Sequence, residues 1–229
     1  MLACQRPEFG LHVFGMNKLL IREFSFQAQT EFERHVSQGQ ADLPLLADKM
    51  LSQFPYALRP EDILLLSDAK LYDYRLGFKL FNGSADVTVT SKNVIMNFRD
   101  GRTEPALKLV SNSTDQIYKI IASRAILYNQ VVFSAHAQFE TPQAYAEYMA
   151  KYANPSHGYL SGGIIVQAES RSLNGELRFS TEKSAAIENG LFITVQFFTS
   201  EALTLEVMEK MAKRFVEVAG FENLVPAFT

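Results

Sequence analysis

The chain has 229 residues, 47% hydrophobic and 21% charged, a balance that belongs to a globular protein and excludes a disordered one. Its formal net charge is −3, and neither half carries the excess of Lys and Arg that contacts to several phosphates require, so nucleic acid is excluded as an expected partner. A single cysteine, Cys4, rules out an internal disulfide and a cysteine-rich zinc site, and no apolar run approaches the ~18 residues of a membrane helix.

The Met1-Leu2-Ala3-Cys4 start lacks the basic and apolar segments that precede a lipoprotein cysteine, and Met16 would also serve as a start. A cytoplasmic protein is expected. Its 18 Phe, 9 Tyr and no Trp favour a Phe-filled interface between sheet and helices, since Phe brings apolar area without a polar atom to satisfy.

Leu19 to Phe26 has the alternation of a strand, and Thr30 to Ser37 reads as a helix with Phe32, His35 and Val36 on one face. A second helix is predicted over Leu43 to Phe54, where Leu46, Met50 and Phe54 share a face, ended by Pro55 and Pro60. A three-strand meander follows. Lys70 to Phe81 leads through Asn82-Gly83, the favoured two-residue hairpin signal, into Ala85, Val87 and Val89, and then Val94 to Phe98. Ser113 and Gln116 have capping-box spacing ahead of a helix over Thr114 to Tyr128, apolar enough to be the central one.

Gln130 to Phe139 is again a strand. Thr141-Pro142 places an N-cap before proline at the first helical position, opening a helix to about Ala153. Tyr159 to Ser172, Asn174-Gly175, Glu176 to Thr181, a turn at 188–190 and Leu191 to Thr199 form a second meander. Ser200-Glu201 is expected to cap the last helix, Leu203 to Ala219, with Met208, Met211, Phe215 and Val218 as its dry face and Gly220 as its stop.

Each half thus reads strand, helix, three-strand meander, helix. Phe26 to Val36 lines up with Phe139 to Met149, and each half carries an Asn-Gly turn. Phe26 to Phe139 is an offset of 113 and Asn82 to Asn174 one of 92, and the difference of 21 is about the length of the extra helix and loop at roughly 40–60, which places one insertion in the first half. The expected fold class is α+β, with internally duplicated strand-helix-meander-helix units forming antiparallel sheets backed by helices. Residues 1–129 and 130–229 are the two halves of one compact pseudo-twofold unit.

Chemistry is sparse. His12, His35, His136 and His157 show no metal-ligand spacing, and phosphate-cradling glycine loops and a GxSxG elbow are missing. No metal, cofactor or catalytic residue is assigned. His35 reads as a core histidine and His136 sits mid-strand, while His157 lies in a polar loop. Asp68, Asp73 and Glu169 would count as pocket acids if they faced inward. Arg124 stands in the apolar helix, where a buried guanidinium would mark an anion site or a paired carboxylate. Tyr145, Tyr148 and Tyr152, with Tyr159 beyond, offer apolar bodies with polar tips, a type enriched at binding surfaces. The candidate binding residues are therefore Arg124, His157, Tyr145, Tyr148, Tyr152 and Tyr159.

The functional expectation is a binding or interaction protein with a ligand or partner groove between two similar halves, its expected partner another protein or a second copy in a homodimer, with a small molecule as a further ligand class. The alternative is a small cytoplasmic enzyme or small-molecule-binding protein with a pocket between sheet and helices.

Overall fold

Strict apolar–polar alternation, which sends successive side chains to opposite faces of a sheet, governs this architecture. In a computed structural model of the chain the described residues are 19–33, 42–54, 58–68, 73–90, 92–99, 112, 126–152, 164–170 and 174–219. The strands are β1 (Leu19–Phe32), β2 (Ile63–Asp68), β3 (Asp73–Leu80), β4 (Ala85–Thr90), β5 (Asn93–Arg99), β6 (Ile126–Phe139), β7 (Ile164–Ser170), β8 (Gly175–Lys183) and β9 (Gly190–Thr199). The helices are α1 (Asp42–Gln53), α2 (Pro142–Tyr152) and α3 (Leu205–Ala219). All nine strands join one antiparallel sheet in the order β2-β3-β4-β5-β1-β6-β9-β8-β7. The fold is α+β. No helix among the described residues is long and apolar enough to cross a membrane.

The two longest strands, β1 and β6, pair with each other at the middle of the sheet. One transverse row of side chains carries the core: Phe179, Val195, Phe133, Phe26, Phe98, Ala85 and Leu80 stand opposite one another on consecutive strands, all buried. Phe215 of α3 drops onto this row, 5.4 Å from Phe133 and 5.7 Å from Phe24 between ring centroids. Met50 of α1, Met149 of α2 and Met208 of α3 complete the same cluster, so all three helices cover one face. Each fully buried Phe is worth about 2–3 kcal/mol of transfer free energy.

The buried polar groups on this face meet partners. Tyr148 bonds Thr181 hydroxyl to hydroxyl at 2.8 Å. Thr30 of β1 donates to the Asn129 side chain of β6, whose amide in turn donates to the Glu201 carbonyl. That chain ties the central strand pair to the turn leading into α3.

Several local expectations change. Thr30 to Phe32 continue β1 instead of starting a helix, because Thr30 and Phe32 alternate inward in register with Asn129 and Ile126. The remainder of that predicted helix, with His35, lies outside the described residues. Ile126 to Tyr128 open β6 instead of closing a helix, and the predicted central helix from Thr114 onward otherwise lies outside the described residues. Asn82-Gly83 is not a two-residue turn. Leu80 pairs with Ala85, and the connection passes through Phe81, Asn82 and Gly83, all at positive φ (55°, 55° and 84°). The first meander also gains an edge strand, β2. The α3 cap is Thr204, whose Oγ1 accepts from the Val207 amide at 3.3 Å, so Ser200 and Glu201 stand in the turn before it. Thr141 does cap α2, accepting from the Ala144 amide at 3.1 Å. The dry face of α3 is buried as expected, and Gly220 lies outside the described residues.

Candidate functional site

One residue out of step with the Phe row, on the opposite face of the sheet, lies a row of a different kind. Arg99 of β5 stands opposite Ser25 of β1, Ser25 opposite Ser134 of β6, Ser134 opposite Thr194 of β9, and Thr194 opposite Ser180 of β8. Four short hydroxyl side chains in a line across the strands make a low floor. Taller residues flank it, with His136 and Phe192 on one side and Gln27, Asn97 and Val132 on the other. The result is a furrow perpendicular to the strands. It holds two open hollows of about 420 and 380 Å³ that share Ser25, Arg99 and Ser134. Volumes of that size suit small molecules.

The backbone contributes to its shape. Ile21 pairs with Ala137 but Glu23 pairs with His136, so Arg22 is the extra residue of a β-bulge at one end of the furrow. Bulges re-aim side chains. Both Arg22 and Glu23 line the larger hollow, and Arg22 Nε donates to Gln138 Oε1 at 3.0 Å.

His136 is held in a defined tautomer. Ser184 Oγ accepts from the amides of Ala186 (3.2 Å) and Ile187 (2.9 Å), so its own hydrogen is left for His136 Nδ1, 2.9 Å away. The ring proton of the neutral imidazole therefore sits on Nε2, leaving a donor on a side chain that lines the furrow. The ring leans on Phe192 with centroids 4.7 Å apart.

The floor and its closing cation are uncommitted. Among the described residues no hydrogen bond engages the hydroxyls of Ser25, Ser134 or Thr194, and Arg99 makes no ion pair. Charges of both signs line the furrow: Arg22, Glu23 and Arg99 in one hollow, Asp86 and Arg99 in the other. Such an arrangement can hold and orient a polar ligand. No group of His, Cys, Asp and Glu among the described residues is set to hold a metal ion.

The residues singled out by sequence fall elsewhere. Tyr148 is buried on the helix-backed face, and Tyr145 packs there against Phe139 with ring centroids 5.9 Å apart, its phenol pushed above the usual range by burial. Tyr152 belongs to α2, and nothing is described of its side chain. Arg124, His157 and Tyr159 lie outside the described residues, as do the side chains of Asp68, Asp73 and Glu169. Among the described residues, His136 is the histidine in the furrow, and His12, His35 and His157 lie outside them.

Sequence reasoning passed over Ser25, Ser134 and Arg99, although a signal existed. Phe24-Ser25-Phe26-Gln27-Ala28-Gln29 and Phe133-Ser134-Ala135-His136-Ala137-Gln138 share the pattern Phe-Ser-x-x-Ala-Gln. The two copies pair at their serines. Comparison with protein-family models, curated proteins and solved structures found no match to this chain.

Proposed function

We propose that this chain is a non-catalytic binding protein, built from two related halves, that holds a small polar ligand in the open-face furrow where the halves meet. The observation that carries the reading is the hydroxyl floor of Ser25 and Ser134 with Arg99 at its end, uncommitted polar groups concentrated at the centre of a nine-stranded sheet. Polar groups converging in a concave site set ligand orientation, and binding residues sit best on rigid strands.

An internal duplication, proposed together with this reading, would account for the order of the strands. The strand order runs outward from β1 through β5, β4 and β3, and outward from β6 through β9, β8 and β7, with β2 as the surplus strand of the first half. β1 leads to α1 and β6 to α2. With the Phe-Ser-x-x-Ala-Gln copies in antiparallel register, a pseudo-twofold axis would pass between Ser25 and Ser134, at the centre of the furrow. The division between halves then falls ahead of β6. Under this symmetry Arg99 corresponds to Thr194 and Gln27 to His136, so the furrow is asymmetric where a ligand would be read.

The test is thermal unfolding against a panel of metabolites, amino acids and short peptides, run on the native chain and on Ser134→Tyr. Tyrosine at this open-face position fills the furrow without entering the core. The expected result is a raised midpoint with one ligand class, by mass action, and no such rise in S134Y. A midpoint rise that S134Y retains, or a concentration-dependent oligomer with no ligand response, would replace this reading with another.

A further inference from the structure

We infer that the furrow's ligand is a small zwitterion, an α-amino acid or short peptide, with its carboxylate on Arg99 and its ammonium on Asp86. This rests on the open-face reading above and names the ligand class.

Arg99 is the cation common to both hollows, and it has no carboxylate partner among the described residues. Its planar guanidinium suits a carboxylate bound through two parallel hydrogen bonds. A bare anion would explain Arg99 alone. It would not explain Asp86, which lines the hollow whose cation is Arg99, nor Glu23, which lines the other. Arg22 shares the hollow of Glu23 without forming an ion pair with it, its Nε donating instead to Gln138 Oε1. Lys79 stands opposite Asp86 on β3 without forming an ion pair with it. Of the two carboxylates, Asp86 lies in the hollow lined by no cation but Arg99, and it is the one assigned to the ligand cation.

Spacing agrees with a molecule that bears both charges. Asp86 pairs with Asn97, which lies two residues before Arg99 on the same face of β5. Residues so related are diagonal neighbours, about 7–8 Å apart. That separation is bridged by the body of an amino acid or dipeptide lying along the furrow. The uncommitted hydroxyls of Ser25 and Ser134 and the Nε2–H of His136 then face the carboxylate end, and Asn97 and Gln27 face the peptide group. Hollows of about 420 and 380 Å³ accommodate such ligands.

The experiment is calorimetric titration of the full chain with individual α-amino acids and Ala-Ala. The tightest binder is then compared with its N-acetylated form, its C-terminal amide and inorganic phosphate. Blocking either charge is expected to weaken binding about tenfold or more, the size expected for losing a charge-assisted hydrogen bond. Arg99→Gln should erase the discrimination against the amide, and Asp86→Asn the discrimination against the N-acetyl form. Both side chains point away from the core, so both variants should keep the native thermal midpoint. Phosphate binding as tightly as the zwitterion, no zwitterion binding, or discrimination that persists in R99Q and D86N would each overturn the inference. If another ligand class raises the midpoint and loses that effect in S134Y, the zwitterion is wrong while the open-face site stands. If nothing responds to S134Y, both fall.

Discussion

Ser25 and Phe26 are neighbours in sequence and belong to opposite worlds. Phe26 is 2% exposed and packs between Phe98 and Phe133, whereas Ser25 is exposed on the floor of a furrow. On the partner strand Phe133 is likewise buried, and Ser134 is half-buried on the furrow floor. One face of the sheet is committed to stability, its few polar groups paired among themselves. The other is left with hydroxyls, an arginine and carboxylates that stabilise little and can serve recognition. Because alternation separates the two faces completely, mutations should separate them too.

The largest effect belongs to the helix-backed face. Phe133→Ala removes a ring that meets those of Phe24, Phe26, Phe197 and Phe215. It should cost about 4 kcal/mol in urea unfolding. A loss below about 1 kcal/mol would break the comparison at its strong side. Gly175→Ala comes next, since a Cβ there would lie 1.9 Å from the Phe198 carbonyl oxygen. Strand β8 would have to part from β9, at about 3 kcal/mol. This change disturbs backbone shared by both faces, so it alone should lower stability and ligand response together.

A smaller effect appears in alkali. The Glu31 side chain beside Tyr128, by hydrogen bond first and with burial and charge repulsion adding, raises the Tyr128 phenol above its usual 10.0. A raised value means the protonated phenol is favoured in the fold. Its contribution is complete below the unfolded value and is lost as pH rises through the folded one. Stability should therefore fall above about pH 10, and less steeply in Glu31→Gln; equal slopes in the two proteins would remove Glu31 as the cause. The smallest effect is Ser134→Ala, within about 0.5 kcal/mol of the native chain. A larger loss would mean the furrow floor is structural.

Much of the frame was legible because alternation and helical period are local signals. The dry face of α3 and the Thr141 cap of α2 could be read directly. Tertiary pairing decided the rest. Thr30 to Phe32 and Ile126 to Tyr128 extend the central strands because they find each other across the sheet, a partner no short window reveals. The two Asn-Gly dipeptides teach the same point. Asn82 and Gly83 both take positive φ, whereas at the second only Asn174 does, at 45°, and Gly175 serves a close approach of strands. Identical letters meet different neighbours. The candidate site was hidden for this reason, since Arg99, Ser25 and Ser134 are distant in sequence and become a row only through register. His136 was visible as a mid-strand histidine, and the sheet decides which way it faces.

The most direct measurement is an amide-resolved NMR titration with the panel compound that raises the thermal midpoint most. Chemical-shift changes are expected at Ser25, Arg99, Ser134 and His136, with the α3 residues Met208 to Phe215 unmoved. Changes centred on the helices, or spread evenly through the sheet without a focus at the hydroxyl row, would contradict the open-face site.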